Sequence, residues 1–234
     1  MGNLQNRFAP AGRLVPVFGA HEGLDTSALA NGLAKCASRR GETVLMIDIC
    51  GGDLMREAGI IYNVTLGDVL YRGANIRDAK YVSFNEHYTV ACAGDADMEA
   101  LLGSMAALSL GYDWVFVVCE TGCTPAHVRL AAAADTSILA FESCSDQFMR
   151  AYWMLDAIRA RAPMFDPMMT VFGDEDQGFD SFDLFAATVR DFLGAPPALG
   201  ALVENRDAVP TIAPALLESL RSETTLNKKR VSQG

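Results

Sequence analysis

Positive charge is scarce in this chain. Its 19 Lys and Arg stand against 29 Asp and Glu, a formal net charge of −10, and the one basic cluster in the sequence is Lys228-Lys229-Arg230. A surface of that sign repels phosphate backbones, so sequence-independent nucleic-acid binding is not an expected activity. Long apolar runs are missing too: nothing approaches the ~18 residues of a membrane span. The start, Met1-Gly2-Asn3-Leu4-Gln5-Asn6-Arg7, has no apolar leader and no Ser or Thr at the sixth position, which excludes a secretory signal and a myristoylation signal from the expectations. No internal repeat is visible. Six cysteines are present (Cys36, Cys50, Cys92, Cys119, Cys123 and Cys144), but they are scattered through core-like segments without framework spacing. They read as reduced thiols. The expected location is the cytoplasm, with no direct membrane insertion.

What the sequence does have is an ordinary core: half of its 234 residues are hydrophobic and 21% charged, enough for one well-covered domain. Short β-rich apolar runs alternate with helical patterns. Strands are expected over Leu14–Phe18, Thr43–Ile49, Tyr88–Ala93, Trp114–Cys119, Thr136–Phe141, Met168–Phe172 and Ala198–Val203. Helices are expected after the Gly19–Gly23 loop, with Leu29, Leu33 and Cys36 on one face and an end near Gly41, and over Met98–Leu110, Pro125–Ala134, Ser145–Arg161, Phe179–Leu193 and Thr211–Arg221. Buried strands joined by crossover helices imply an α/β/α three-layer sandwich with a mostly parallel sheet of about seven strands. The expected division is a flexible stretch over residues 1–12, one domain over 13–222 and a polar tail over 223–234.

In such a sheet, function gathers just past the C-terminal ends of the strands. The loop after the first strand reads Gly19-Ala20-His21-Glu22-Gly23-Leu24-Asp25-Thr26-Ser27. A phosphate-binding loop, G-x-x-x-x-G-K-[ST], cradles phosphates with backbone amides, neutralises them with its Lys and holds magnesium with its hydroxyl. Here Gly19, Thr26 and the strand–loop–helix context match, but Leu24 stands at the second Gly and Asp25 at the Lys.

The ordered set of segments resembles the MinD/ParA-type P-loop ATPases, over about residues 13–215. Ser27–Ala34 is similar to the helix that follows their loop, Gly41–Asp48 to their second strand and Tyr112–Val118 to their Walker B strand. Thr65–Leu70 and Leu199–Val203 are similar to segments of the MinD/FlhG branch, and the P-loop NTPase-like fold is what the resemblance implies. It also implies positions that this chain has changed. Ala20 stands where that family has its signature Lys and Asp25 where it has the P-loop Lys. Cys50 stands at the second Asp of the Asp-x-Asp that begins at Asp48, and Cys119 at the Walker B Asp. Gly173 or Asp174 stands nearest the expected adenine-contacting Asn. One neutral residue and one anion in place of two cations shift the loop by about three charge units, and a like-charge pair at ~4 Å opposes binding by about 4 kcal/mol even at an effective dielectric of ~20. Glu22 adds to that field.

The resulting expectation is a catalytically inactive relative. Gly19, Ala20, His21, Glu22, Gly23, Asp25, Thr26, Ser27, Asp48, Cys50 and Cys119 would line a degenerate pocket with no cofactor. Such a protein would place or assemble a bacterial surface machine (flagellum, pilus, cellulose synthase or division apparatus) by binding a protein partner, as a homodimer or paired with an active homologue. Two alternatives remain at this level. One is an active ATP- and magnesium-dependent dimerisation switch with an unusual loop, working through backbone amides and an outside cation. The other is a thiol- or metal-responsive protein using His21, Cys50, Cys119 and Cys123, although Cys119-x3-Cys123 is no standard zinc spacing.

Elsewhere the ordinary reading is preferred. His87 and His127 are read as structural or surface residues. The acids of Gly173–Asp180 are read as a solvated helix start, with a calcium-like cluster or a docking loop for a basic partner as the alternatives. Met149, Trp153 and Met154 are read as core rather than an exposed stripe. Ala213, Leu216, Leu217 and Leu220 form an apolar face expected to pack on the domain rather than on a membrane.

Overall fold

The computed structural model describes residues 12–83, 87–144 and 146–231, with side chains to residue 222. Five-residue runs of apolar side chains form the centre of the sheet because strands covered on both faces need no polar alternation. Trp-Val-Phe-Val-Val of β5 (Trp114–Val118) and Val-Leu-Met-Ile-Asp of β2 (Val44–Asp48) are buried along their whole length. β1 (Arg13–Gly19) lies between β5 and β6 (Ile138–Glu142), parallel to both. β4 (Thr89–Cys92) extends the sheet beyond β2, and β7 (Met168–Phe172) and β8 (Leu199–Val203) extend it beyond β6. A two-residue strand, β3 (Tyr81–Val82), adds the one antiparallel pairing, giving the order β3-β4-β2-β5-β1-β6-β7-β8. The sheet thus has eight strands rather than about seven. β3 was missed because two residues offer no periodicity to read.

Helices cover both faces. α1 (Thr26–Arg39), α2 (Asp53–Glu57) and α8 (Val209–Val231) pack over one core, which includes Leu29, Leu33, Trp114, Phe116, Leu216 and Leu217. α3 (Leu66–Arg72), α4 (Met98–Leu108), α5 (Pro125–Ala133), α6 (Gln147–Arg159) and α7 (Glu175–Leu193) cover the other, around Phe18, Leu139, Phe141 and Phe185. The short helices α2 and α3 were not expected. α3 is fixed by a capping box in which Thr65 accepts from the Asp68 amide and Asp68 accepts from the Thr65 amide.

α7 begins four residues before the expected Phe179. Asp174 caps it, accepting from the amides of Asp176 and Gln177, and Glu175 and Asp176 lie in its first turn. α8 starts earlier and runs further than expected, through residues 223–231 that were expected to form a polar tail. Its Ala213, Leu216, Leu217 and Leu220 are buried against the domain. Residues 1–11 and Ser145, the expected first residue of α6, lie outside the described residues.

Candidate functional site

The loop from β1 to α1 is held at both ends. The Ala20 amide donates to Ala140 O (2.9 Å), extending the β1–β6 ladder by a residue. Gly23 then takes φ +88°, a left-handed turn that suits glycine. Asp25 has φ −82° and ψ 54°, close to an inverse γ-turn, and the Thr26 amide donates back to Leu24 O at 2.9 Å. A phosphate loop needs such amides free for its ligand. Here the Thr26 amide is already spent.

Asp25 is the N-cap of α1, and its Oδ1 accepts from the Ala28 amide at 3.2 Å. The chain therefore supplies its own carboxylate to the positive end of the helix, where a phosphate would otherwise find its donors. Leu24, at the second-glycine position, turns its Cδ1 over Gly19, and the Thr26 methyl lies beside it.

A network that the sequence did not announce surrounds Asp25. Arg206 follows β8 in the single-turn 3-10 segment Arg206–Ala208. Its Nη1 lies 3.5 Å from Asp25 Oδ2, and its Nη2 pairs with Glu57 Oε2 on α2. Asn31 donates to Glu57 Oε1 at 3.0 Å, and Tyr88 donates to Asn31 Oδ1. Arg206 so ties the loop after β8 to α1 and α2 across the first turn of α1. A polar cavity of about 370 Å³ lies there, lined by Leu24, Asp25, Ser27, Asp53, Arg56, Glu57 and Arg206. The available signal was Asn31, a polar residue among the buried positions of α1.

The positions matching the family's carboxylates are neutral or occupied. Asp48 is fully buried, and backbone amides take both its oxygens: Cys50 N at 2.8 Å and Met55 N at 3.1 Å. It pins the β2–α2 turn. The Cys50 thiol donates to Val118 O at 3.4 Å, and burial, with Asp48 and other carboxylates beside it, pushes its pKa up to about 12. Burial raises the Cys119 thiol well above its ordinary value as well. Both are neutral thiols at ordinary pH, without the charge of an Asp.

His21 is buried, with Nδ1 2.9 Å from Glu22 O and Nε2 without a hydrogen-bond partner among the described residues. Glu22 is exposed and Cys123 lies at the surface. Among the described residues no group of three His, Cys, Asp or Glu is placed to hold a metal ion, so the set His21, Cys50, Cys119 and Cys123 gains no support as a metal centre. His127 is buried in a structural role: its Nδ1 meets Thr124 Oγ1 at 2.7 Å and its Nε2 meets Glu120 O at 2.8 Å, at the start of α5. His87 is exposed.

With the geometry in hand, the comparisons decide the fold. The cell division ATPase MinD of Pyrococcus furiosus superposes with a TM-score of 0.67 at 18% identity, over 95% of this chain and 100% of that one. The chain has the MinD/ParA-type P-loop fold. A plasmid partition protein from Borrelia burgdorferi matches at TM-score 0.68 and 12% identity over 92% and 100% of the two chains. Cobyrinic acid a,c-diamide synthase from Mycobacterium smegmatis, solved with ADP and magnesium, matches at 0.69 and 16% identity over 90% and 93%. No protein-family model and no curated protein matches the sequence. Tested against ADP and magnesium, the residues of this loop do not fit: the lysine position is an anion capping its own helix, and the amide beside it is engaged.

Proposed function

We propose that this protein is a nucleotide-independent member of the MinD/ParA-type fold that acts by protein–protein binding, as a localisation or assembly factor for a larger bacterial surface machine. The carrying observation is Asp25. Its carboxylate lies at the α1 N-terminus in place of a lysine, hydrogen-bonded to the Ala28 amide and paired with Arg206. Phosphoryl transfer relies almost wholly on cationic and amide clamps, so their replacement removes rate and affinity together. What remains is a sheet covered on both faces with loops at its strand ends, and such a scaffold suits recognition. A partner in a membrane-associated assembly fits this reading, since no helix among the described residues is long and apolar enough to cross a membrane itself.

A second reading has one observation in its favour. Arg206 brings a guanidinium to within 3.5 Å of Asp25, a cation from outside the loop, as an ATP-dependent switch with an unusual loop would need. Its guanidinium is committed to Asp25 and Glu57, which argues for a structural strap instead.

Calorimetric titration of ATP and ADP with magnesium into metal-free protein separates the two, with Asp25→Lys alongside. The expected result is no binding heat at millimolar nucleotide for the parent. Micromolar binding by the parent would return the protein to the nucleotide switches. Heat from Asp25→Lys alone would assign the loss to charge.

A further inference from the structure

Trp153 was expected in the core, yet its side chain is 60% exposed on the outer face of α6. Arg150, Trp153, Met154, Ala157 and Arg161 recur at helical spacing along one stripe of that helix and just past its end. The stripe faces Ala20 of the β1–α1 loop and Gly122-Cys123 of the β5–α5 loop across a largely apolar cavity of about 300 Å³. Burial raises the Cys123 thiol above its ordinary pKa, and the Arg161 guanidinium acts against that shift. Among the described residues neither Arg150 nor Arg161 forms an ion pair, although seven other arginines do. An exposed Trp, a Met and unpaired arginines around an apolar hollow are the residue types that dominate binding energy in protein interfaces.

The same chain carries the complement. The first turn of α7 presents Glu175 and Asp176, both exposed and, among the described residues, in no ion pair, followed one turn later by Phe179, 47% exposed. α6 and α7 are packed side by side in one layer. A single twofold axis can therefore bring each copy's acidic turn onto the other's arginine stripe.

We infer that a second copy of this chain docks here, inserting Phe179 into the cavity beside Trp153 while Glu175 and Asp176 pair with Arg150 and Arg161. This rests on the nucleotide-independent reading above, because the contact needs no ligand. The contact is a small one, and association is expected to be weak, in the micromolar range.

Sedimentation velocity over a concentration series, without nucleotide, reads it directly. The expected result is a monomer–dimer equilibrium that Trp153→Ala and Arg150→Glu each weaken by about tenfold or more. The double variant Arg150→Glu/Asp176→Arg exchanges the charges and should regain most of the association. Trp114 is fully buried, so a blue shift in emission on dimerisation reports Trp153 alone. Unchanged thermal midpoints of the monomers would confirm that the variants are folded. A parent that stays monomeric overturns the proposal and leaves the cavity to a different protein. A dimer indifferent to both single substitutions overturns it while the nucleotide-independent reading stands. A dimer that forms only with ATP and magnesium overturns both.

Discussion

At position 25 an aspartate bears on the chemistry of the loop twice. It offers a phosphate no cation, and it supplies a carboxylate that the helix end favours, so the α1 N-terminus is satisfied from within. Cys50, just past the end of β2, is a thiol held neutral. Its folded pKa, about 12, lies above the ordinary 9.0, mainly through burial. A raised pKa means that the native state holds its proton more tightly than the unfolded chain. The stabilisation is complete below pH 9.0 and is lost as pH rises from there towards about 12. Cys119 adds in the same direction. Thermal midpoints recorded between pH 7 and 11 are therefore expected to fall more steeply for the parent than for Cys50→Ala, which has no proton to lose. Parallel curves for the two proteins would remove Cys50 from the alkaline limb.

Among the helices, α1 and α8 pack most extensively. Gly32 is the contact point: a Cβ added there would come within 2.3 Å of Val209 Cγ1. Alanine favours a helix over glycine by about 1 kcal/mol, but overpacking a filled core costs about 1–3 kcal/mol. The collision should prevail, because Val209 is buried and a β-branched side chain has little rotamer freedom. Gly32→Ala is expected to lower the urea midpoint without changing the slope, and Val209→Ala in the same chain should recover part of the loss. A Gly32→Ala protein more stable than the parent would mean that α8 shifts freely. The apolar face of α8 was legible in Ala213, Leu216, Leu217 and Leu220, since one helical stripe suffices to announce it. The glycine that lets α8 approach was not, because a close contact between elements 177 residues apart leaves no local pattern. Trp153 failed for a related reason. Apolar residues at helical spacing announce a face, but not whether protein or solvent lies against it.

For the whole molecule, the positions of the main strands and the unusual loop after β1 were readable because both are local: apolar runs in sequence, and residue types at fixed spacing; the order of the strands in the sheet was not. The Arg206 strap was not, since it joins segments that meet only after the sheet is assembled. Charge is the property that acts at this scale. Seven arginines are paired with carboxylates among the described residues, and the formal net charge of the chain is −10. That bears on which cargo a positioning protein of this fold can handle. Direct carriage of DNA requires several Lys or Arg at phosphates, and non-specific affinities then fall at about 10⁻⁴–10⁻⁶ M, strengthening steeply as salt is lowered. With a labelled DNA duplex at about 50 mM salt, the most favourable condition, fluorescence anisotropy should stay flat up to roughly 100 µM protein. A rise that salt abolishes would place the basic residues of 228–230 on DNA and favour a partition-type role by direct contact. A flat trace leaves cargo recognition to protein surfaces, where the Trp153 stripe and the acidic start of α7 are the first candidates.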